Sequence, residues 1–212
     1  MFAPRSEGIL LFFTALTAIS MLFVPLSWFV LIPFSLGFVF TIFILYFFRD
    51  PKRVVPEEDE GILVAPADGV IRKIVQLEEK GTTQVQILLS VFNVHVNRMP
   101  LDSKLINLSR EKKGHWPAWF KGKYVDNNAR LHYDLEATEG FSYRITQIAG
   151  IFAWRCVSYV EEGETLKQND KFGIIRFGSQ ANLELPDDCG YELTIKVGDK
   201  IRAGESIIAR RK

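Results

Sequence analysis

The sequence predicts a mainly β protein, with a barrel-sandwich-like soluble domain behind an N-terminal transmembrane helical hairpin. Three observations support this fold class. The first 48 residues are almost entirely apolar, short β-type runs recur through the remaining chain, and a pattern of tight turns followed by strands occurs twice near the C-terminus. Runs of Val, Ile, Leu and aromatic residues punctuated by Gly, Asp, Asn and Pro are typical of sheets.

The N-terminal segment is predicted to enter the membrane. Residues 8–48 contain no charged residue, and because one span needs about 20 apolar residues, they are long enough for two crossings. Pro25 and Pro33 offer a break between the two. A cleaved secretory signal would have a shorter apolar core followed by a small-residue cleavage site. We therefore expect residues 1–48 to form two spans, or one span plus a re-entrant segment.

The charges around this segment predict its orientation. Basic residues precede and follow the apolar stretch and are absent from the turn within it; they are Arg5, Arg49, Lys52 and Arg53. Because basic residues stay on the cytoplasmic side, we expect the soluble domain to face the cytoplasm at the cell membrane. Cys156 and Cys189 would then lie in a reducing compartment as free thiols.

The rest of the chain divides into a linker and one β domain. Residues 49–59 are polar and contain proline, and the domain follows over residues 60–212. Its predicted strands lie at 69–75, 84–91, 144–148, 152–160, 173–177, 191–197 and 206–209. The formal net charge of +1 gives no support to nucleic-acid binding, which usually requires a basic face.

A short pattern repeats in this domain. Residues 160–175 and 197–208 each contain a turn glycine, a short hydrophobic step, a second turn and an aliphatic strand. The pattern resembles the hammerhead turns of biotinyl and lipoyl carrier folds, with residues 66–69 as a further turn of this kind. No lysine stands in the Met-Lys setting where those carriers attach a cofactor, so the repeat predicts architecture rather than chemistry.

A Gly-Ser pair lies between two β-type segments. Gly178 and Ser179 follow an aliphatic run, and an alternating strand continues to Pro186. A glycine before a serine can leave the backbone unhindered and strained, so that the hydroxyl reaches the preceding carbonyl carbon. Taken alone, such a pair is far more typical of an ordinary β-turn.

Five separated motifs give this pair a context. They are Pro-Ala-Asp-Gly at 66–69, Phe-Asn-Val-His-Val-Asn-Arg-Met-Pro at 92–100, Asn-Asn-Ala-Arg at 127–130, the segment 162–173, and Arg-Phe-Gly-Ser at 176–179. In this order, behind an apolar N-terminus, they resemble the short bacterial and archaeal form of the phosphatidylserine decarboxylase proenzymes. The resemblance covers almost all of residues 49–212.

The resemblance implies a self-cleaving precursor. Ser179 Oγ would attack the carbonyl of Gly178, the resulting ester would break by β-elimination, and the dehydroalanine left behind would hydrolyse to a pyruvoyl group. A large chain, 1–178, and a small chain, 179–212, would stay associated. The pyruvoyl group derived from Ser179 is the implied cofactor. No metal is implied, and the three histidines do not have a ligand spacing.

The same resemblance implies conversion of phosphatidylserine in the membrane to phosphatidylethanolamine. The ketone would form a Schiff base with the serine headgroup and accept the electrons left by CO₂. His95, between Val94 and Val96 on a predicted strand, matches the family's histidine and is the expected catalytic acid or base. Asp68 is the next candidate, and its turn also fits a carboxylate that only bonds its own backbone.

One residue departs from the pattern of longer family members. They carry a second histidine three positions after the one matching His95 and use it with the aspartate in self-cleavage, whereas this chain has Arg98 there. The full Asp-His-Ser arrangement is therefore not transferred. Asp68 could pair with His95 or with Arg98.

Two interpretations stay open. Residues 110–124 interleave basic residues with Trp116, Trp119 and Phe120, which either seat the domain on anionic lipid or pack inward. The anchor and the hammerhead turns also fit a membrane-tethered, carrier-like adaptor or scaffold without catalysis. The sequence does not decide the oligomeric state, nor whether the lipid tails are acyl or ether chains.

Overall fold

The computed structural model describes residues 2–23, 31–56, 61–111, 128–150, 156–176 and 179–212. The chain forms two compact units, Met1–Lys52 and Arg53–Lys212. Gly178, His115 and the aromatic residues of the predicted lipid-facing loop lie outside the described residues, and the predictions made for them stay predictions.

The first unit contains two helices, α1 (Glu7–Phe23) and α2 (Leu31–Phe47). A hydrogen bond of 2.7 Å between the hydroxyl oxygens of Thr17 and Thr41 joins them. Within the described ranges, neither helix has the length and apolarity that a membrane crossing requires. The predicted transmembrane hairpin is therefore not supported.

The second unit is mainly β, as the sequence predicts. Its strands within the described residues are β1 (Ile62–Val64), β2 (Gly69–Leu77), β3 (Thr82–Leu89), β4 (Val96–Arg98), β5 (Ser103–Glu111), β6 (Arg130–Ala137), β7 (Ser142–Ala149), β8 (Cys156–Ser158), β9 (Thr165–Leu166), β10 (Lys171–Ile175), β11 (Ser179–Pro186), β12 (Tyr191–Leu193), β13 (Lys200–Ile201) and β14 (Ile207–Arg211). A short 3-10 turn at Glu78–Lys80 lies between β2 and β3.

These strands form three antiparallel sheets in the described part of the unit. The largest has eight strands in the order β13-β2-β3-β11-β7-β6-β5-β9, and the two smaller sheets have the orders β4-β10-β8 and β1-β14-β12. The arrangement is consistent with a β-sandwich, which confirms the coarse fold prediction. β11 runs through the middle of the large sheet, between β3 and β7.

Alternating apolar residues build the core on one face of this sheet. Val85, Ile87 and Leu89 are buried in β3, and Ala181 and Leu183 are buried in β11. Because successive side chains on a strand point to opposite faces, these residues share one side of the sheet. Burying a large aliphatic side chain contributes about 1.5–3 kcal/mol, so a slip of register between the two strands would expose this apolar face.

The repeat predicted from the sequence has a structural counterpart. Gly163 N–H donates to Leu105 O at 2.8 Å, and Gly198 N–H donates to Ile71 O at 2.8 Å. Leu105 lies in β5 and Ile71 in β2, so the first turn of each repeat binds the backbone of an equivalent strand.

The second turn of each repeat is also equivalent. Asn169 and Gly204 have φ angles of 73° and 72°, in the left-handed region that Gly and Asn tolerate. Asn169 N–H donates to Met99 O at 2.8 Å, and Gly204 N–H donates to Ala65 O at 2.9 Å. The domain therefore contains two copies of one turn-and-strand unit.

Each predicted strand overlaps a strand of the structure, but the short strands β1, β9 and β13 and the long strands β5 and β6 were not predicted. In β5 the pairing register shifts between Leu105 and Asn107. A bulge of this kind interrupts the alternation of apolar and polar residues from which a strand is predicted. β6 does alternate, with Leu131, Tyr133 and Leu135 buried, and could have been found from that pattern.

Candidate active site

Ser179 begins β11, the middle strand of the large sheet. Its backbone pairs with Leu89 at the end of β3 and with Ala149 at the end of β7. Gly178 lies outside the described residues. The residue expected to carry the cofactor is therefore held by strand pairing on both sides, directly after the bond expected to break.

His95 lies one residue before β4, so the strand predicted around it begins later than expected. Ile175, the last residue of β10, donates its N–H to His95 O at 3.2 Å. Ile175 is four residues before Ser179, and an extended chain covers at most about 14 Å over four residues. Leu89, which pairs with Ser179, is six residues before His95. Two short chain segments thus bring His95 into the neighbourhood of Ser179.

The His95 imidazole is buried and oriented by the preceding turn. Its Nδ1 lies 2.9 Å from Asn93 O, and because a carbonyl oxygen only accepts, Nδ1 carries the proton in this contact. The Asn93 side chain fixes the turn, since its Oδ1 accepts hydrogen bonds from Ser90 N–H at 2.8 Å and Ser90 Oγ at 2.9 Å. In the neutral imidazole, Nε2 then has the lone pair that can take a proton.

Asp68 is buried and has partners not expected from the sequence. Arg53 Nη2 donates to Asp68 Oδ1 at 3.1 Å and to Oδ2 at 2.9 Å, and Ala203 N–H donates to Oδ1 at 2.8 Å. Within the described ranges these contacts hold the carboxylate, in place of the pairing with His95 or Arg98 that the sequence left open. Arg53, for which the sequence suggested only a part in membrane orientation, is the principal partner of Asp68.

Asp102 makes the equivalent contact to the other repeat. Gln168 N–H donates to Asp102 Oδ1 at 2.7 Å, as Ala203 N–H does to Asp68, and Lys167 Nζ donates to Asp102 Oδ2 at 2.7 Å. Burial alone would raise the pKa of Asp102, but the hydrogen bonds from Lys167 and Gln168 bring it below its usual value. Asp68, like Asp102, thus accepts a backbone N–H from the second turn of a repeat, and its predicted catalytic role stays a prediction.

Arg98, which stands where longer family members have histidine, connects two turns. It is buried in β4. Its N–H donates to Pro66 O at 3.0 Å, and its Nη1 donates to Asn169 O at 3.1 Å. Arg98 therefore links the 66–69 turn to the second turn of a repeat.

The remaining described histidine and the cysteines have ordinary structural environments. His132 Nδ1 lies 2.9 Å from Thr146 Oγ1, and burial lowers the pKa of His132 although Glu111 opposes this effect. Cys156 and Cys189 are free, and burial raises the pKa of the Cys156 thiol to about 12. No group of three or more His, Cys, Asp or Glu side chains in the described ranges is placed to hold a metal ion.

Comparison with known proteins identifies the family. The family model of phosphatidylserine decarboxylase matches residues 40–209. The chain is 42% identical over 176 residues to the phosphatidylserine decarboxylase proenzyme of Nitratidesulfovibrio vulgaris, covering 81% of this chain and 79% of the relative. It is 37% identical over 203 residues to the protein of the same name in Oleidesulfovibrio alaskensis, covering 94% and 89%. A protein provisionally named archaetidylserine decarboxylase proenzyme in Methanococcoides burtonii is 34% identical over 197 residues, covering 93% and 88%.

These matches define an enzyme of the decarboxylase class with a function related to phospholipids. The names of its relatives describe them as proenzymes. The chain belongs to the phosphatidylserine decarboxylase family. The resemblance found in the five sequence motifs is thereby confirmed.

Proposed function

We propose that this chain cuts itself between Gly178 and Ser179, converts Ser179 into a pyruvoyl group, and then decarboxylates phosphatidylserine to phosphatidylethanolamine. The observation that carries the proposal is a reciprocal pairing. Ser179 pairs with Leu89 on the strand that leads to His95, and His95 accepts a hydrogen bond from Ile175 on the strand that leads to Ser179.

Maturation begins when Ser179 Oγ attacks the carbonyl carbon of Gly178. The C–N bond of the peptide breaks, a C–O ester bond forms, and the Ser179 amine is released. Loss of the Ser179 α-proton then expels the Gly178 carboxylate from Cβ and leaves dehydroalanine at position 179. Its enamine tautomerises to an imine, and one water hydrolyses the imine to ammonia and the pyruvoyl ketone. Proximity within one chain supplies a large part of the rate.

Ser179 fits this role because it supplies the hydroxyl and begins a well-paired strand. β11 pairs with β3 along its full length and with β7 from Ser179 to Glu184. The hydrogen bonds of these two ladders from Gln180 onward survive the cut, whereas any bond made by the Ser179 N–H is lost when that nitrogen leaves as ammonia. The new terminus therefore keeps its place, and the small chain, 179–212, stays associated with the large chain, 1–178.

During turnover, the pyruvoyl ketone supplies the electron sink that decarboxylation of the serine headgroup requires. His95 moves the proton that takes the place of CO₂ on the headgroup α-carbon. Its Nδ1–H is engaged by Asn93 O at 2.9 Å, so Nε2 is the atom that gives or takes this proton. The serine headgroup is the recognised part of the lipid, and acyl tails are assigned from the names of the bacterial relatives.

The enzyme works at the cell membrane with its β domain on the cytoplasmic side. In support, α1 and α2 expose large apolar side chains, among them Leu11 at 71%, Leu36 at 67% and Val39 at 64%. Exposed apolar side chains are costly in water and favourable against lipid. Basic residues at both ends of the segment favour the cytoplasmic side.

The intact masses of the purified chains test the proposed function. Wild-type protein is expected to give fragments of residues 1–178 and 179–212, and the small fragment should lack a free α-amine because a ketone replaces it. Ser179→Ala should stay uncut and inactive, whereas Ser109→Ala, an exposed serine of β5, should mature normally. A small fragment with an ordinary N-terminal serine would indicate proteolysis, and an uncut, inactive wild type would favour the adaptor function.

A further inference from the structure

His95 and Ser179 are connected to different sheets of the domain. His95 leads into β4 of a three-stranded sheet, whereas Ser179 begins β11 of the eight-stranded sheet. The reacting groups keep a fixed separation only when the two sheets keep a fixed relation. Apolar packing alone tolerates small sliding motions, because it has no direction.

A buried polar chain crosses between these two sheets. Gln147 Nε2 on β7 donates to Asn97 Oδ1 on β4 at 2.7 Å, and Tyr133 OH on β6 donates to Gln147 Oε1 at 3.2 Å. All three side chains are at most 1% exposed. A polar group in such a core is costly unless its hydrogen bonds are made in good geometry, so this chain favours one relative position of the sheets.

The hydrogen-bonded side chains of Asn97 and Gln147 lie close to both reacting residues in sequence and in strand register. Asn97 is two residues after His95, and Gln147 is two residues before Ala149, the backbone partner of Ser179. Asn97 also pairs with Gly173 of β10. A Cβ at Gly173 would lie 2.7 Å from Tyr133 OH, 2.8 Å from Val157 O and 2.9 Å from Gln147 Nε2, so the glycine makes room for Tyr133 and Gln147 as well as for the backbone of β8.

We propose that Asn97, Gln147 and Tyr133 are positioning residues, which hold His95 at its working distance from the pyruvoyl group at position 179. The inference rests on the proposed function. Tyr133 OH donates to Gln147 Oε1 at 3.2 Å and so holds the end of the amide that lies opposite the contact with Asn97. Without the phenol, this buried oxygen loses a donor, and the Gln147 amide is held less firmly in the position from which it binds Asn97.

The test compares two tyrosines that undergo the same chemical change. Tyr133→Phe removes the hydroxyl from the chain, and Tyr143→Phe removes a hydroxyl that lies 2.7 Å from Ser103 Oγ. Tyr143 is buried on β7 at 4% exposure and serves as the matched control. Gln147→Leu breaks the chain at its centre. Each full-length variant is purified in detergent, and its thermal midpoint is measured to show the general loss of stability.

Two readouts separate positioning from stability. Hydrogen exchange, followed by mass spectrometry on peptides covering Ile175, reports the amide that binds His95 O. We expect this exchange to rise on the order of tenfold in Tyr133→Phe relative to Tyr143→Phe. Decarboxylation of phosphatidylserine in mixed micelles should show kcat reduced on the order of tenfold with KM within about twofold, because small displacements of a catalytic group cost rate.

Equal exchange at Ile175 in the two tyrosine variants would overturn the inference, whether or not the enzyme is active. Equal kcat values at similar thermal midpoints would overturn it as well. A wild-type protein that is folded but neither cleaved nor active would refute the proposed function instead, and the exchange comparison would still decide whether the polar chain holds the His95 segment.

Discussion

The proposed function has two stages, self-cleavage and turnover, which place different requirements on the imidazole of His95. Self-cleavage is an intramolecular shift at a serine next to its own target carbonyl, so proximity supplies much of the rate. Each turnover, by contrast, needs a proton delivered to a carbon atom of a bound lipid. In the proposed mechanism, the contact from Nδ1 to Asn93 O at 2.9 Å leaves Nε2 for this transfer, and a positioned acid or base typically contributes about 10²- to 10⁴-fold.

His95→Ala is therefore expected to form both chains, more slowly than wild type, while its decarboxylase activity falls about 10²- to 10⁴-fold. Cleavage is followed by intact mass, and activity is followed by CO₂ release from carboxyl-labelled phosphatidylserine. His132→Ala, which removes an imidazole bonded to Thr146, is the control and should retain both stages. An uncleaved His95→Ala chain that is fully folded would assign His95 to maturation and transfer the turnover step to another residue.

At the scale of elements, the two copies of the turn-and-strand unit offer a comparison within one molecule. Asp68 and Asp102 each accept a backbone N–H from the second turn of a repeat. Their cation partners differ in burial: the Arg53 and Asp68 side chains are 7% and 8% exposed, whereas those of Lys167 and Asp102 are 76% and 35% exposed. Removing one partner of a buried ion pair leaves the other charge poorly compensated.

We expect Asp68→Asn to lower the free energy of unfolding by on the order of 3 kcal/mol and Asp102→Asn to lower it less, because solvent screens the exposed pair. Denaturant unfolding of both variants, in the Ser179→Ala background, measures this difference. In the otherwise wild-type chain, Asp68→Asn should still cleave and should lose less than about tenfold in kcat, as a carboxylate that only orients other groups would. Complete failure of a folded Asp68→Asn chain to cleave would make the carboxylate a direct participant.

Most long strands with a regular local pattern were predicted; β6 is an exception that was missed although it alternates, and β5 was missed because tertiary structure changes its pattern. β3 and β11 alternate cleanly and were found, while the shifted pairing register in β5 removes the periodic signal. The equivalence of the two aspartates was available from Pro-Ala-Asp at 66–68 and Pro-Leu-Asp at 100–102. The pairing of Arg53 with Asp68 and of Lys167 with Asp102 could not be predicted from the sequence, because each pairing depends on how distant segments pack.

The candidate site likewise has residues that local motifs predicted and residues that only the tertiary structure reveals. Ser179 and His95 were predicted as site residues because their neighbours form recognisable motifs, and their proximity follows from strand pairing that no local pattern reveals. Asn97 and Gln147 are fifty residues apart in the chain. Neither residue type carries a chemical signal at the level of the sequence, since buried amides are common wherever a core contains a polar link.

At the scale of the whole molecule, the two compact units suggest separate functions, with cleavage and catalysis in the second unit and access to lipid from the first. A chain that lacks residues 1–48 is expected to fold and to cleave at position 178, since the strands that hold Ser179 lie in the second unit. Its activity on dispersed short-chain phosphatidylserine should stay within about twofold of wild type. On bilayer vesicles it should fall about 10²-fold, because attachment supplies effective concentration rather than chemistry.

Sedimentation with phosphatidylserine vesicles and kinetics on the two substrates provide the measurements, with the full-length chain as reference. Equal activity of both chains on vesicles would remove the N-terminal segment from any role in lipid access. A reporter fused after Lys212 should read as cytoplasmic, and an external signal would contradict the proposed orientation.

The central position of β11 sets the working life of each enzyme molecule on the proposed maturation route. The fragment that bears the cofactor is hydrogen-bonded between β3 and β7, so it cannot leave without opening the large sheet. A damaged ketone can therefore not be exchanged for a fresh one, as a dissociable coenzyme can. Every ribosome-made polypeptide receives its reactive group once, and a cell restores lost capacity only by new protein synthesis.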